Sequence, residues 1–466
     1  MAQTQPDALA ARIPARSMGL KLLLVCLLAL LMSIPALFVF GLLSERTNRA
    51  DQVAREVGGM VGGPQTFIGP VLSVPYVAPP AAPTEPSQRG VFLIFPTQAT
   101  ATAASRSEVR TRSLFKVPVW QADLTFASRF DLAESAAKVP SGAVLDWERA
   151  EFLIGASDAR GAQADVVLQV AGQTLPLAPA SSLSDVSLQS NPNSPPMRGA
   201  GDPNMRFFGA PAAGIATPTG RFDATATLKF SGAQRLAVLA WGKTTTFTAR
   251  GDWPHPSFDG GFLPVKRQVT DEGFTAEWSV PFIARGVPAE GLTDALQRLG
   301  QTALGVSFVE PANPYQSVAR SLKYAPMFIG LVFLAYFLFE TTQGRRVHPA
   351  QYVLIGLAQI IFYLLLLSIA EHTGFDAGFA IAATATVALI SAYAGWTFES
   401  RRQGLIALVA FAALYALIYV LMRLEDFALL IGALTSFAAI AAVMYFTRRV
   451  DWYGQFAGNE TPKAKV

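Results

Sequence analysis

The chain has 466 residues, enough for two or three domains, and only 15% of them are charged while 51% are hydrophobic; an average soluble protein carries roughly 25% charged residues. That deficit points to a membrane protein. The net charge of +4, with no Lys/Arg cluster away from the apolar runs, excludes a nucleic-acid binder, and the single cysteine, Cys26, excludes an intrachain disulfide scaffold and a thiolate zinc site.

The first apolar run, "LLLVCLLALLMSIPALFVFGLL" at 22–43, would span about 33 Å as a helix and so cross a bilayer. Arg12, Arg16 and Lys21 precede it, which holds the tail 1–21 in the cytoplasm by the positive-inside rule. The run is longer than the h-region of a secretory signal, and no small-x-small cleavage site follows, so it reads as an uncleaved anchor. Cys26, inside it, reads as a small buried apolar side chain.

From 44 to 323 the pattern changes. "SERTNRADQVAREV" extends the anchor helix, with Ala50, Val53, Ala54 and Val57 on one face, until "GGMVGGPQ" breaks it. Beyond that, alternation dominates. Trp120, Ala122, Leu124, Phe126 and Phe130 fall on one face of "WQADLTFASRF", and Phe222, Ala224, Ala226, Leu228 and Phe230 on one face of "RFDATATLKF". "KTTTFTAR" and "GFTAEWSVPF" repeat it. One apolar face per strand predicts antiparallel sheets packed on a core, a sandwich-like β-rich domain. The Pro-rich stretch 78–90 and the polar stretch 178–204 read as surface excursions with little fixed structure.

Five further apolar runs follow, at 325–339, 352–370, 377–396, 405–422 and 427–446. They predict a five-helix bundle over 324–446, six spans in all, and a tail 447–466. Arg345 and Arg346, Arg401 and Arg402, and Arg448 and Arg449 fall on one side; the opposite loops, "EHTGFD" and "RLED", carry only Arg423. Both tails are therefore expected in the cytoplasm and 44–323 in the periplasm. The expected fold class is an α-helical membrane protein with six transmembrane helices and a large extracytoplasmic β-rich domain.

The stretch "FETTQGRRVHPAQY" at 339–352 pairs Glu340 with His348, and "EHTGFD" pairs Glu371 with His372. Each pair offers two ligands, too few for zinc, and the intervening span sets the pairs about 30 Å apart. Glu340 and His348 therefore read as parts of a turn, with Pro349 starting a helix. The five later runs hold no Asp, Glu, Lys, Arg or His in their interiors, which speaks against ion-coupled transport. Their polar residues, Gln359, Ser368, Thr384, Thr386, Ser391, Thr435 and Ser436, are expected to bond a neighbouring helix or their own backbone. "AVLAWGKT" ends like a P-loop, but Ala237 stands where the first glycine belongs. His255, between prolines, reads as a loop residue. No catalytic, cofactor-binding or metal residue is assigned, and no cofactor is expected.

"GPVLSVPY" (69–76), "LFKVPVWQADLTF" (114–126), "GGFLPVKRQV" (260–269), "FVEPANPYQSVARSLKYAPMFI" (308–329) and above all "FETTQGRRVHPAQYVLIGLAQIIFYLLLLSIAEHTGF" (339–375) resemble the CreD family of bacterial inner-membrane proteins. The resemblance implies a large periplasmic domain and a role in cell-envelope integrity. It also implies ties to a two-component regulatory system and to tolerance of colicins and β-lactams, without catalytic residues. Two functions follow. One is a non-enzymatic binding module whose partners are the bilayer and an envelope protein or lipid-like ligand. The other is a transporter of a lipid or small molecule that is not ion-coupled, or a membrane enzyme using Glu340 and His348 or Glu371 and His372.

Overall fold

The computed structural model describes residues 18–80, 87–133, 139, 142–183, 185–189, 204–310, 314–343, 347–423 and 428–448. The chain divides into two compact units: Arg49–Pro311, and the segments Met1–Asn48 and Ala312–Val466 together.

Arg49–Pro311 is built on two sheets. One runs in the order Lys266–Thr270, Gly273–Val280, Thr244–Gly251, Gln98–Arg112, Phe115–Asp131, Arg221–Ala233, Val167–Val170 and Gln173–Pro176. Its pairs are antiparallel except Thr244–Gly251 beside Gln98–Arg112. The other sheet centres on Gln65–Ala78, which lies antiparallel to Glu151–Ala156 and parallel to Arg235–Leu239. The alternation sets the faces: Phe115–Asp131 buries Trp120, Ala122, Leu124, Phe126 and Phe130 while Gln121, Asp123, Thr125 and Arg129 stay exposed. These inward rings meet the other sheet. Phe67 meets Phe230 edge-on at 5.1 Å and Phe126 meets Trp241 at 5.5 Å, and the Trp241 indole donates to Ser128 Oγ at 3.0 Å. Each such buried ring contributes on the order of 2–3 kcal/mol of apolar burial. Two short helices, here numbered in chain order as α3 (Phe282–Arg285) and α4 (Thr293–Leu299), complete this unit.

The excursion expected at 178–204 is ordered over its first part: Ala178–Pro179 and Val186–Ser187 pair with Asn204–Pro211, and Leu183, Val186 and Leu188 are buried. Three apolar side chains in a polar stretch suffice to anchor it to the core. Residues 190–203, and 81–86 of the Pro-rich stretch, lie outside the described residues.

The N-terminal apolar run forms α1 (Met18–Leu31) and α2 (Ser33–Met60), with an irregular step at Met32. Pro35 accounts for the step, because it has no N–H to give the Leu31 carbonyl. Cys26 is exposed on α1 rather than buried; among lipid-length apolar residues an outward position costs a small thiol nothing. Beyond Asn48, α2 lays Val53, Ala54 and Val57 against Val117, Val119 and Ala233, the helical face expected of that segment. Gly62 and Gly63, both with positive φ, then turn the chain away.

The remaining helices are α5 (Pro314–Lys323), α6 (Ala325–Gln343), α7 (Pro349–Thr373), α8 (Phe375–Thr397), α9 (Arg401–Arg423) and α10 (Ala428–Thr447). α5 and α6 meet at a 54° bend, where Pro326 occupies the first turn of α6. Gly378 of α8 lies against the Ala370 backbone of α7, and Gly404 of α9 against Gly395 of α8, so the small residues draw these helices together. Among the described residues, four helical stretches (Gly19–Met60, α7, α8 and α9) are long and apolar enough to cross a membrane, or five if the bent pair α5–α6 is one span. The six expected spans differ from this at the last run, where Leu430–Tyr445 is a shorter apolar helix.

Candidate functional site

Glu340 does not lie in a loop. α6 continues through it to Gln343, because the helical hydrogen-bond ladder persists after the apolar run ends. Its side chain is 3% exposed. Oε1 accepts from Val347 N at 2.9 Å and from the Lys21 ammonium, and Oε2 accepts from the Tyr352 hydroxyl at 2.9 Å. Lys21 Nζ also donates to the Val347 carbonyl at 2.9 Å. Thus α1, α6 and the start of α7 converge on one buried carboxylate. His348 is not part of this cluster. It caps α7: its Nδ1 accepts from Ala350 N at 3.2 Å, and its own N–H donates to Gln351 Oε1 at 3.2 Å, with Pro349 at the first helical position. Arg345 and Arg346 lie outside the described residues.

Glu371 and His372 belong to the last turn of α7 rather than to a free loop. The Glu371 side chain is 6% exposed, accepts from the Tyr315 hydroxyl of α5 at 3.2 Å and lies 3.8 Å from Arg46 Nε of α2. His372 is exposed. At the start of α8, Asp376 holds Arg423 and accepts from Tyr419 at 3.1 Å. Glu340 lies against the start of α7 and Glu371 is in its last turn, so the two Glu–His pairs do not meet in one site, and among the described residues no three His, Cys, Asp or Glu side chains cluster to hold a metal. Sequence patterning missed Lys21, Arg46 and Tyr315 as partners; their distance along the chain leaves no local signal.

The β-rich unit offers three further features. Arg285, 3% exposed, lies over the Phe95 ring at 4.6 Å, and none of its guanidinium nitrogens has a hydrogen-bond partner. Burial lowers it to about 9, with the Glu290 carboxylate opposing, so it keeps its proton at neutral pH. Elsewhere, partial burial alone would raise Glu151; hydrogen bonds from Ser181 and Ser182 overcome it and hold the carboxyl below its ordinary range. Glu151 lines a groove of about 410 Å³ with Pro75, Val91, Arg149, Ser182 and Pro211.

The third feature is apolar and exposed. Val265 N donates to the Glu277 carbonyl at 2.8 Å and the Trp278 indole donates to the Phe262 carbonyl at 3.1 Å. Residues 262–265 therefore run beside Glu277–Val280, from which Pro281 leads straight into α3. This sets Leu263 and Val265, each 70% exposed, along the strand whose end runs into Phe282 and the 93% exposed Ile283. The P-loop-like Gly242–Lys243–Thr244 is a turn entering the strand Thr244–Gly251, where Gly242 N donates to Thr245 Oγ1 at 3.0 Å; no helix follows to receive a phosphate. The His255 carbonyl accepts from the Trp253 indole at 3.1 Å, a loop tie.

A helical unit of membrane-length segments joined to a two-sheet β-rich unit defines a multi-helix membrane protein with a large non-membrane domain. The chain belongs to the CreD family: the model of "Inner membrane protein CreD" matches residues 17–453. The Inner membrane protein CreD of Escherichia coli (strain K12) is 28% identical over 438 residues, covering 91% of each chain. A crystallised chain from Parabacteroides distasonis ATCC 8503, named as a candidate protease, shares 11% identity over 58% of each chain with a TM-score of 0.19, a likeness that carries no argument.

Proposed function

We propose that this CreD-family protein supports envelope integrity, including tolerance of β-lactams and colicins, as a non-enzymatic binding module. Its β-rich unit engages an envelope protein or lipid-like ligand in the periplasm, while the helices hold it in the inner membrane. The observation that carries this reading is the set of Leu263, Val265, Phe282 and Ile283 on two neighbouring segments: single apolar side chains are ordinary on a surface, but a set that reaches 70% and 93% exposure supports an interaction surface. Six crossings are counted in this reading, with α10 as the sixth and both tails cytoplasmic. The exposed Arg401 and Arg402 at the start of α9 and the basic residues before α1 support that orientation.

A photo-crosslinking residue at position 283 in growing cells tests the reading. It should capture a discrete envelope component, while the same residue at Val144, also exposed at 71% but remote in the fold's pairing order, should not. Equal capture at both positions, or none at 283, contradicts it. Periplasmic reporter fusions within 44–323 and cytoplasmic ones at the C-terminus check the orientation.

A further inference from the structure

We propose that Gln359, Tyr363 and Tyr415 form a site inside the helical unit for an uncharged hydrogen-bonding group. Gln359 of α7 is fully buried, and neither its Oε1 nor its Nε2 has a partner. One turn on, along the same helical face, Tyr363 is equally buried with an unpartnered hydroxyl, as is Tyr415 of α9. The Phe362 ring lies 4.9 Å from both tyrosine rings, so side chains from two helices gather around it. This departs from the expectation that polar residues of the spans bond helices or backbone. Thr386 does so, donating to the Ala382 carbonyl at 2.9 Å, and Ser436 donates to the Gly432 carbonyl at 2.9 Å. Gln359 does not.

The chemistry of the occupant follows from the groups. A glutamine amide offers two donors and an acceptor, and each phenol offers one of each. The occupant must therefore both accept and donate. It must also be neutral: Gln359 and Tyr363 each stand ten residues from an end of α7, and neither α7 from Pro349 to Ala370 nor α9 from Gly404 to Met422 holds an ionisable acid, base or His. An ion there would have no counter-charge from these helices. Water and the neutral polar end of a lipid-like molecule share this chemistry. The site is separate from the β-rich patch, and its test does not depend on that reading.

Hydroxyl-radical footprinting of the full chain, extracted with its native lipids into nanodiscs, distinguishes the sources. If water fills the site, Tyr363 and Tyr415 are oxidised about tenfold faster than Phe411, buried in the same unit, and Gln359→Leu lowers that rate toward the Phe411 value. If a lipid-like molecule fills it, the tyrosines are protected until native lipids are exchanged for phosphatidylcholine, and are labelled afterwards. Labelling no faster than Phe411 both before and after exchange means a dry, unoccupied interior and overturns the proposal.

Discussion

Replacing Lys21 by Met should damage the helical unit more than replacing Lys21 and Glu340 together. The Glu340 carboxylate is 3% exposed and Lys21 only 21%. Lys21→Met leaves the carboxylate with two neutral donors, Val347 N and the Tyr352 hydroxyl, and no counter-charge. Removing one partner of a buried ion pair costs about 3–5 kcal/mol. Because Lys21 retains some solvent, the lower end applies, about 3 kcal/mol, or a fall in Tm of roughly 6–12 °C for a body of this size. The double variant Lys21→Met/Glu340→Gln removes both charges while an amide oxygen remains to accept from Val347 N or the Tyr352 hydroxyl, and it should recover most of that loss, lying within about 1–2 kcal/mol of the parent. Thermal unfolding of four full-length proteins in one detergent (the parent, Lys21→Met, Glu340→Gln and the double variant), followed by tryptophan fluorescence, gives the cycle. A Lys21→Met variant as stable as the parent, or a double variant no better than the single, refutes the reasoning.

Arg285→Ala should destabilise the β-rich unit by about 2 kcal/mol, since it removes the cation over Phe95 and the packing of a buried side-chain stem; Arg285→Met, which keeps an apolar stem there, should cost less, and limited proteolysis with increasing denaturant orders the three. The lowered Glu151 carboxyl stabilises the folded state above its ordinary value of 4.5, and that contribution disappears as pH falls through the lower folded value. Glu151→Gln should therefore flatten the acid side of a Tm-against-pH profile while leaving its alkaline side unchanged. Gly378→Val would bring a side chain to 2.8 Å from the Ala370 backbone nitrogen, and a backbone atom cannot rotate aside. A loss of about 1–3 kcal/mol is expected, seen as a lower Tm, whereas Gly432→Val, with nothing within 4 Å, should be close to neutral.

Strand faces were legible because a pleated strand sends successive side chains to opposite sides: Trp120 through Phe130 read correctly one residue at a time. The order of strands was not, since the parallel pairing of Thr244–Gly251 with Gln98–Arg112 joins segments that no local pattern relates. Membrane runs were found, but their ends were drawn short. Hydropathy falls where the side chains turn polar, and the hydrogen-bond ladder of α6 goes on to Gln343. That error placed Glu340 in a turn. The residue that neutralises it, Lys21, is 319 positions away, and read alone it signals only a cytoplasmic flank. His348 was legible as structural through Pro349, whose fixed φ suits the first helical turn. Gln359 was not, because composition reports that a polar group is present and says nothing of whether it meets a partner.

The central claim, that the β-rich unit works by binding through its apolar patch, is tested most directly by complementation with the full chain carrying Leu263→Glu and Ile283→Glu. Both side chains are exposed at 70% or more, so the charges stay in water and the fold should hold. In a strain lacking the protein, the account predicts that this variant accumulates normally yet fails to restore resistance to dye entry and to β-lactams. Normal accumulation with a fully restored barrier would contradict it and move the activity to the helices.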